Sequence, residues 1–478
     1  MPRQFIGRTS ELASLQNLTR KDAASLVVVT GRRRIGKSRL IEEFASRNGA
    51  YRALFLAALA PQKGIGGAAQ RESIARQIEL ALAIDGLPRD SWLALFTNLA
   101  EVTARGRWIL LLDELSWMAA GDLRFLSEFK IVWDQGFSRN PHLILFLCGS
   151  VSSWLERNIL SNTGFVGRVS SSMRVEELPI ADCNQFWGTR TVSDYDRLKV
   201  LGVTGGVPRY LEEVIPADSA DSNIRRLCFE PEGMLFREFD QIFPDLFQRK
   251  VATYRQIVEA VSDGHRTANE IREAVQRDKG GVISKYLDDL VLAGFLARDF
   301  TWNVASRSAA KLSRYRLRDN YLRFYLRHIL PRRRQIERRQ VSDAPLTTLP
   351  AWDSILGLQF ENLVLQNRRQ IWQALGIPAA DIEFDGPFFQ TATRRRQGCQ
   401  IDYLIHTRTG VIYVCEVKLS RNPLGLELEA EVAQKIERLR LPKHCSTLPV
   451  LIHANDLREG LQYSRYFANI IDFRQFLH

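Results

Sequence analysis

The sequence predicts an α/β chain of more than one domain, and three observations carry that expectation. Apolar runs of strand length recur as "SLVVVT" (25–30), "RWILLLDELSW" (107–117) and "PHLILFLCGS" (141–150), too uniformly apolar for a half-exposed strand. The first runs through a short glycine-bearing loop into the helical pattern "RLIEEFASR", the strand–loop–helix order of a parallel sheet. Strand and helix patterns then return as a separate set after residue 350, in a chain of 478 residues that is too long for one core.

Composition narrows the class. A chain that is 45% hydrophobic and 25% charged is that of an ordinary folded protein. No apolar run approaches the roughly 18 residues of a membrane span. The opening "MPRQFIGRTSEL" lacks the layout of a secretory signal, so a cytoplasmic protein with no membrane partner is expected. The six cysteines show no metal-ligand spacing and read as reduced thiols. The formal net charge is +12, and residues 311–340 concentrate it, with eleven Lys or Arg against Asp319 and Glu337. Such a block suits a phosphate backbone, which makes nucleic acid, DNA first, the expected partner. A solvated helix face, or a contact to an acidic domain, is the other reading.

The loop after the first strand reads "GRRRIGKS", a G-x-x-x-x-G-K-S pattern between strand and helix. Gly31 and Gly36 permit the turns that aim backbone N–H groups at phosphates. Lys37 would reach the β- and γ-phosphates, and the Ser38 hydroxyl would join the Mg²⁺ shell. The intervening Arg32, Arg33, Arg34 and Ile35, with the following Arg39, complete the expected nucleotide-binding segment. A buried strand ending in acids should supply the rest, and 107–117 does: Asp113 for Mg²⁺ and Glu114 to polarise the attacking water. Ser150, ending the next apolar strand, is placed to sense the γ-phosphate. Arg168, after the glycine turn of "NTGFVGR", reads as an arginine finger or as a surface arginine.

In order, "FIGRTSEL", "GRRRIGKS", "LLLDEL", "LFLCGS" and "GGVPRYL" resemble the archaeal-type P-loop ATPases of prokaryotes, relatives of the AAA+ and STAND ATPases. The likeness covers about residues 1–215. It implies an AAA+-like P-loop NTPase domain with ATP and Mg²⁺ as cofactors, and a homo-oligomer through that domain. It further implies that Phe5, Ile6, Gly7 and Arg8 border the adenine and that Pro208 and Arg209 contact the nucleotide.

Residues 216–330 read as a helical region. Within it, "ATYRQIVEAVSDG", "TANEIREAV" with Thr267 as N-cap, and "GVISKYLDDLVLAGFLARD" precede a β-like run. Three short helices and a β segment resemble a winged helix-turn-helix, with Ser284 and Lys285 near a DNA groove or serving only a protein contact. In "YRLRDNYLRFYLRHILPRRR", which also resembles the ATPase family, Leu317, Tyr321, Phe324 and Leu326 form an apolar side. Residues 331–350 read as a basic linker.

The last segment, 351–478, begins with one amphipathic helix over 351–375 that carries Glu361 among leucines. A basic loop at 393–400 and two strands, "CQIDYLIHTRTGVIYVCEVKLS", follow. A three-residue loop Arg408-Thr409-Gly410, with Gly410 left-handed, sets residue 407 opposite 411. Asp402 then faces Glu416, with Lys418 one pleat further on the same side. Two carboxylates so close repel, and a divalent cation removes that conflict. Asp402 with Glu416-x-Lys418 resembles the PD-(D/E)xK nucleases, which implies an α/β restriction-endonuclease-like domain. Ile401 stands where the family pattern has proline. In that likeness Asp402 and Glu416 bind Mg²⁺, Glu361 is the helix acid that assists, Lys418 positions or activates water, and Gln434 and Lys435 are a later helix pair. The combined reading is an ATPase joined to a metal-dependent nuclease. Its rival is a nucleotide-switched scaffold whose last domain binds DNA or protein without cutting.

Overall fold

The computed structural model describes residues 4–60, 62, 64–150, 152–247, 250–276, 282–341, 344–392, 397–442 and 445–478, the side chains of 243–247 excepted. Part of the basic loop expected at 393–400 therefore lies outside the described residues. By compactness the chain divides into two units, 1–176 and 177–478.

The first unit is built on five parallel strands: β1 (Ser25–Thr30), β2 (Arg52–Ala57), β3 (Trp108–Asp113), β4 (Leu143–Cys148) and β5 (Val169–Arg174). Their order is β2-β3-β4-β1-β5. The apolar runs read from sequence become the three central strands, and their residues are buried on both faces because helices cover each side. Trp92, Phe96, Phe125 and Phe129 pack together over one face, with Trp92 and Phe96 rings stacked at 5.2 Å. On the edge strand β2, the Gln77 side chain exchanges hydrogen bonds with the N–H and C=O of Ala57, which blocks further strand pairing there. The order places β4 between β1 and β3, so the ends of all three converge on one site.

The second unit contains a three-helix and hairpin region and a second sheet. Helices Val251–Ala260, Ala268–Ala274 and Val282–Leu292 precede β6 (Leu296–Asn303) and β7 (Ser308–Leu317), an antiparallel pair. Thr267 caps the second helix as expected, in a reciprocal box with Glu270. The second sheet contains β8 (Ile382–Gln390), β9 (Cys399–Thr407), β10 (Val411–Lys418), β11 (Ser446–His453) and β12 (Asn469–Asp472), in the order β12-β11-β10-β9-β8. The β8–β9 and β9–β10 pairs are antiparallel, and the other two are parallel.

Three boundaries differ from the expected ones. Residues 177–214 sit in the second unit: the Ile180 N–H donates to the Asn367 side chain at 2.9 Å, and Gly202 abuts Leu356. The stretch 331–350 is no linker. It holds the helix Arg333–Glu337, and Ile336 and Leu346 are buried, two apolar anchors that the surrounding arginines and prolines concealed in the sequence. The helix expected over 351–375 is two, Trp352–Gln366 and Arg368–Ala374, broken where Asn367 turns its side chain to the Leu363 carbonyl and to Ile180.

Several arginines of the basic block have partners within the second unit. Arg316 pairs with Asp299, Arg318 with Glu177, Arg327 with Asp263, Arg333 with Asp240 and Arg339 with Glu232. Arg323 is fully buried and donates to the Leu317 carbonyl at 2.7 Å. Six of the eleven cations therefore have partners within the fold.

His328 gives this unit a pH dependence. Its ring is fully buried beside Phe324 and Trp352, with neither nitrogen hydrogen-bonded. Burial, and then the charges of Arg332 and Arg327, push the imidazole down to about 4. The unfolded chain takes up this proton near pH 6.5 and the folded chain only near 4. The His328 contribution to stability should therefore be flat above about pH 6.5 and fall by about 3 kcal/mol as the pH drops to 4. Urea unfolding of the full chain at pH 7.5 and 5.0 checks this: His328→Phe should lose less stability between the two than wild type. Equal losses would show that His328 does not contribute.

Candidate functional site

The phosphate loop begins where β1 ends. Gly31 has φ 143°, and a Cβ there would lie 2.4 Å from the Val175 carbonyl oxygen, so no other residue fits. Gly36, with φ 87°, caps the N-terminus of the helix Lys37–Arg47, and Arg34 also adopts a left-handed conformation. Lys37 is buried and folds back to donate to the carbonyls of Gly31 at 2.9 Å and Arg32 at 3.0 Å. Phosphate oxygens are stronger partners for that ammonium than neutral carbonyls. Ser152, which sequence reading missed, braces the loop by accepting the Gly31 N–H at 3.2 Å. Its position four residues past β4 was the available signal.

The acids meet the loop across β4. The Ser38 hydroxyl donates to Asp113 at 2.5 Å, which brings together the two groups expected to share a Mg²⁺ shell. Glu114 adopts φ 53°, and one of its oxygens accepts both the N–H and the hydroxyl of Ser150, each at 2.9 Å. Burial raises the Glu114 carboxyl above its usual range, with Asp113 adding to that, while Ser150 and Lys37 oppose it. A carboxylate held beside a phosphate loop with a raised pKa is suited to accepting a proton from water. The Cys148 thiol, also missed, lies at this junction and is pushed well up by burial and then by Asp113.

The N-terminal segment is tied to the same loop. Arg8, with φ 61°, is buried and donates to the Ile35 carbonyl at 3.1 Å while pairing with Glu11 at 2.9 Å. Gly7 has φ 69°, Phe5 and Ile6 are half-buried, and Arg39 reaches the Gln4 carbonyl at 3.3 Å. Arg33 and Arg34 are partly buried and Arg32 is buried. Arg168 is held by a two-pronged pair with Asp134, at 2.7 and 2.8 Å, on an exposed surface. Pro208 and Arg209 lie in the second unit. Pro208 opens the helix Pro208–Leu211, and Arg209 pairs with Glu212 at 3.2 Å and Glu213 at 2.7 Å.

The second acid cluster lies on the C-terminal sheet. The β9–β10 pairing sets 412 against 406 through 415 against 403, the register expected from the loop. Gly410 has φ 87°, and its N–H donates to the Thr407 carbonyl at 3.0 Å. Continuing that register sets Asp402 against Glu416, and the Asp402 carboxylate accepts the Val417 N–H at 3.1 Å. Burial, and then Glu416, raise the Asp402 carboxyl. Burial, and then Asp402, raise that of Glu361. Lys418 lies 3.0 Å from Glu416 and 3.3 Å from Glu431; Glu416 more than offsets burial and holds the ammonium up at about 12. Lys435, on the helix Glu427–Arg438, is 2.5 Å from the other Glu416 oxygen. Among the described residues no three His, Cys, Asp or Glu side chains gather tightly enough to hold an ion. Asp402 and Glu361 resist ionisation first through burial and then through a neighbouring acid, and carboxylate oxygens are the donor type that a hard divalent cation takes. Ser284 and Lys285 are exposed on Val282–Leu292.

Comparison with known proteins bears mainly on the first of these sites. Residues 5–214 match the family model of an ATPase domain predominantly from Archaea. Over 336 residues the chain is 25% identical to the uncharacterised protein MJECL04 of Methanocaldococcus jannaschii, covering 70% of each. In fold it is similar to the Walker-type ATPase PABY2304 of Pyrococcus abyssi, with a TM-score of 0.52 and 15% identity, over 68% of this chain and 97% of that one. A weaker likeness, with a TM-score of 0.41 and 13% identity, is to the ORC2 protein of Aeropyrum pernix, over 72% of this chain and 97% of that one. No described helix is long and apolar enough to cross a membrane. The loop at 31–38 and the acids ending β3 both fall within the residues that match this ATPase-domain model.

Proposed function

We propose that the chain binds and hydrolyses ATP with Mg²⁺ in its N-terminal domain and couples that cycle to divalent-cation-dependent cleavage of DNA by its C-terminal acids. The observation that carries the ATPase half is the convergence of Lys37, Ser38, Asp113 and Glu114 across β1, β4 and β3. Lys37 leaves its two carbonyls for the β- and γ-phosphates. Ser38 and Asp113 would hold the Mg²⁺ that accompanies the nucleotide, and Glu114, oriented by Ser150, would take the proton of the attacking water. Phe5, Ile6, Gly7 and Arg8 would flank the base, a placement consistent with the Arg8–Ile35 tie. Arg168 would act on a neighbouring copy after leaving Asp134, and Pro208 with Arg209 would report the nucleotide state.

For the nuclease half, Asp402 and Glu416 would hold a divalent ion, assisted by Glu361. A bound ion there supplies Lewis acidity toward water and the scissile phosphate. Lys418, kept charged by Glu416 and Glu431, offsets the negative charge that builds on phosphorus. The helices 251–292 with their hairpin are read as a winged helix presenting Ser284 and Lys285 to DNA. The six cysteines, free in the fold, are consistent with a reducing, cytoplasmic setting.

A second reading has its own observation. Both oxygens of Glu416 are held by lysines and five arginines of the basic block pair with acids within the fold, as in a scaffold that switches with nucleotide and does not cut.

Three expectations follow from the two sites. Lys37→Ala removes a charge-assisted phosphate contact, so ATP affinity should fall about tenfold or more; calorimetry showing parent affinity in a folded variant would remove the assignment. Glu114→Gln keeps the Ser150 hydrogen bonds and loses the base, so ATP should bind while turnover collapses. Parent-rate hydrolysis would mean another base. In the C-terminal site, Asp402→Ala should abolish Mn²⁺ binding, whereas Lys418→Ala should keep Mn²⁺ and lose DNA cleavage. Cleavage by Lys418→Ala at the parent rate would remove Lys418 from the catalytic role, and no cleavage by wild type in any divalent metal would favour the scaffold.

A further inference from the structure

The C-terminal site holds one lysine more than its proposed chemistry uses, and this inference rests on the reading of Asp402 and Glu416 as a divalent-cation site. Glu416 is only 2% exposed, and a carboxylate so buried needs positive charge close by. It has two ammonium groups. Lys418, two residues along the same strand, takes one oxygen, and Lys435, from the helix Glu427–Arg438, takes the other. Glu431 and Lys435 are one helical turn apart, so the four side chains alternate in sign: Glu431, Lys418, Glu416, Lys435.

The two lysines are not equivalent. Lys418 has Glu431 as a second partner and keeps an ion pair if Glu416 turns away. Among the described residues, Lys435 forms an ion pair with Glu416 alone, and its side chain is 26% exposed, so a long flexible stem gives it a route to water. Divalent cations sit about 2.0–2.6 Å from carboxylate oxygens, which is the space beside Glu416 that the Lys435 ammonium fills.

We propose that Lys435 is a resident counter-ion and gate: it satisfies Glu416 in the cation-free chain and must release it before a divalent ion binds. Three consequences follow. The buried acid never stands uncompensated. Cation affinity is set by competition with a side chain of the protein. The released ammonium is left at the mouth of the site, where the phosphate of a nucleic acid would meet it.

Mn²⁺ titration of the full chain by calorimetry tests this, comparing wild type, Lys435→Met and Lys435→Arg, each first checked for a wild-type melting temperature. Removing the competitor should tighten Mn²⁺ binding of Lys435→Met by about tenfold or more, and Lys435→Arg should restore the weaker affinity. A second readout needs no variant: light acetylation with mass-spectrometric mapping should label Lys435 several-fold faster once Mn²⁺ is present. Unchanged or weaker Mn²⁺ binding by Lys435→Met, or labelling of Lys435 that ignores Mn²⁺, overturns the gate while leaving a cation site in place. If neither wild type nor Lys435→Met takes up Mn²⁺, the cation site itself is wrong and the gate falls with it.

Discussion

A carboxylate buried at the end of a strand cannot stand without compensation, and both sites of this protein are arranged around that constraint. On the N-terminal sheet Asp113 is met by the Ser38 hydroxyl and Glu114 by Ser150, with Lys37 adding positive charge. On the C-terminal sheet Glu416 is met by two lysines and Asp402 by the Val417 N–H. The lysine and hydroxyl partners can turn to phosphate or solvent, whereas the acids and the backbone N–H groups that meet them are held by their strands. A site of this kind is stable when empty and reorganises only its polar side chains on binding.

The same requirement explains why sequence stretches that read as separate modules form one compact unit over 177–478. Arg316 at the end of β7 reaches Asp299 on β6 and Asn362 on the helix Trp352–Gln366. Asn362 donates to the Leu317 and Arg318 carbonyls and to Asn320, while Asn320 and Gln359 exchange hydrogen bonds through their side chains and carbonyls. Arg316, Asn320, Gln359 and Asn362 are all buried, and each holds at least one of these hydrogen bonds. Glu361 lies between Gln359 and Asn362 on that helix, so the node that joins the hairpin to the sheet also orients one of the candidate cation ligands. Removing one member of such a network leaves its partners unsatisfied, a larger penalty than the loss of one hydrogen bond.

How much was legible depended on whether a signal is local. The phosphate loop, the three central strands, the Thr267 cap and the Gly410 hairpin are each written in a few adjacent residues, and all appear where expected. The Asp402–Glu416 register followed from one left-handed glycine, because a short loop determines every pair behind it. What escaped is long-range. The arginines of 311–340 read as one charged block, and only the fold shows that Asp299, Glu177, Asp263, Asp240 and Glu232 meet five of them. Asn320, Gln359 and Asn362 look like ordinary polar residues, and only tertiary contacts turn them into a junction. Ser152 and Cys148 are near neighbours of the β4 end, yet nothing in their own composition marks them as parts of the loop's support.

Coupling between the two chemistries is the central claim, and cleavage of plasmid and linear DNA in Mn²⁺ tests it most directly, run in parallel without nucleotide, with ADP and with ATP. If ATP turnover licenses the C-terminal site, DNA should be cut with ATP present and little or not at all without it or with ADP. Equal cutting in all three conditions would separate the two sites, and no cutting in any of them would contradict the nuclease assignment and leave a nucleotide-switched scaffold.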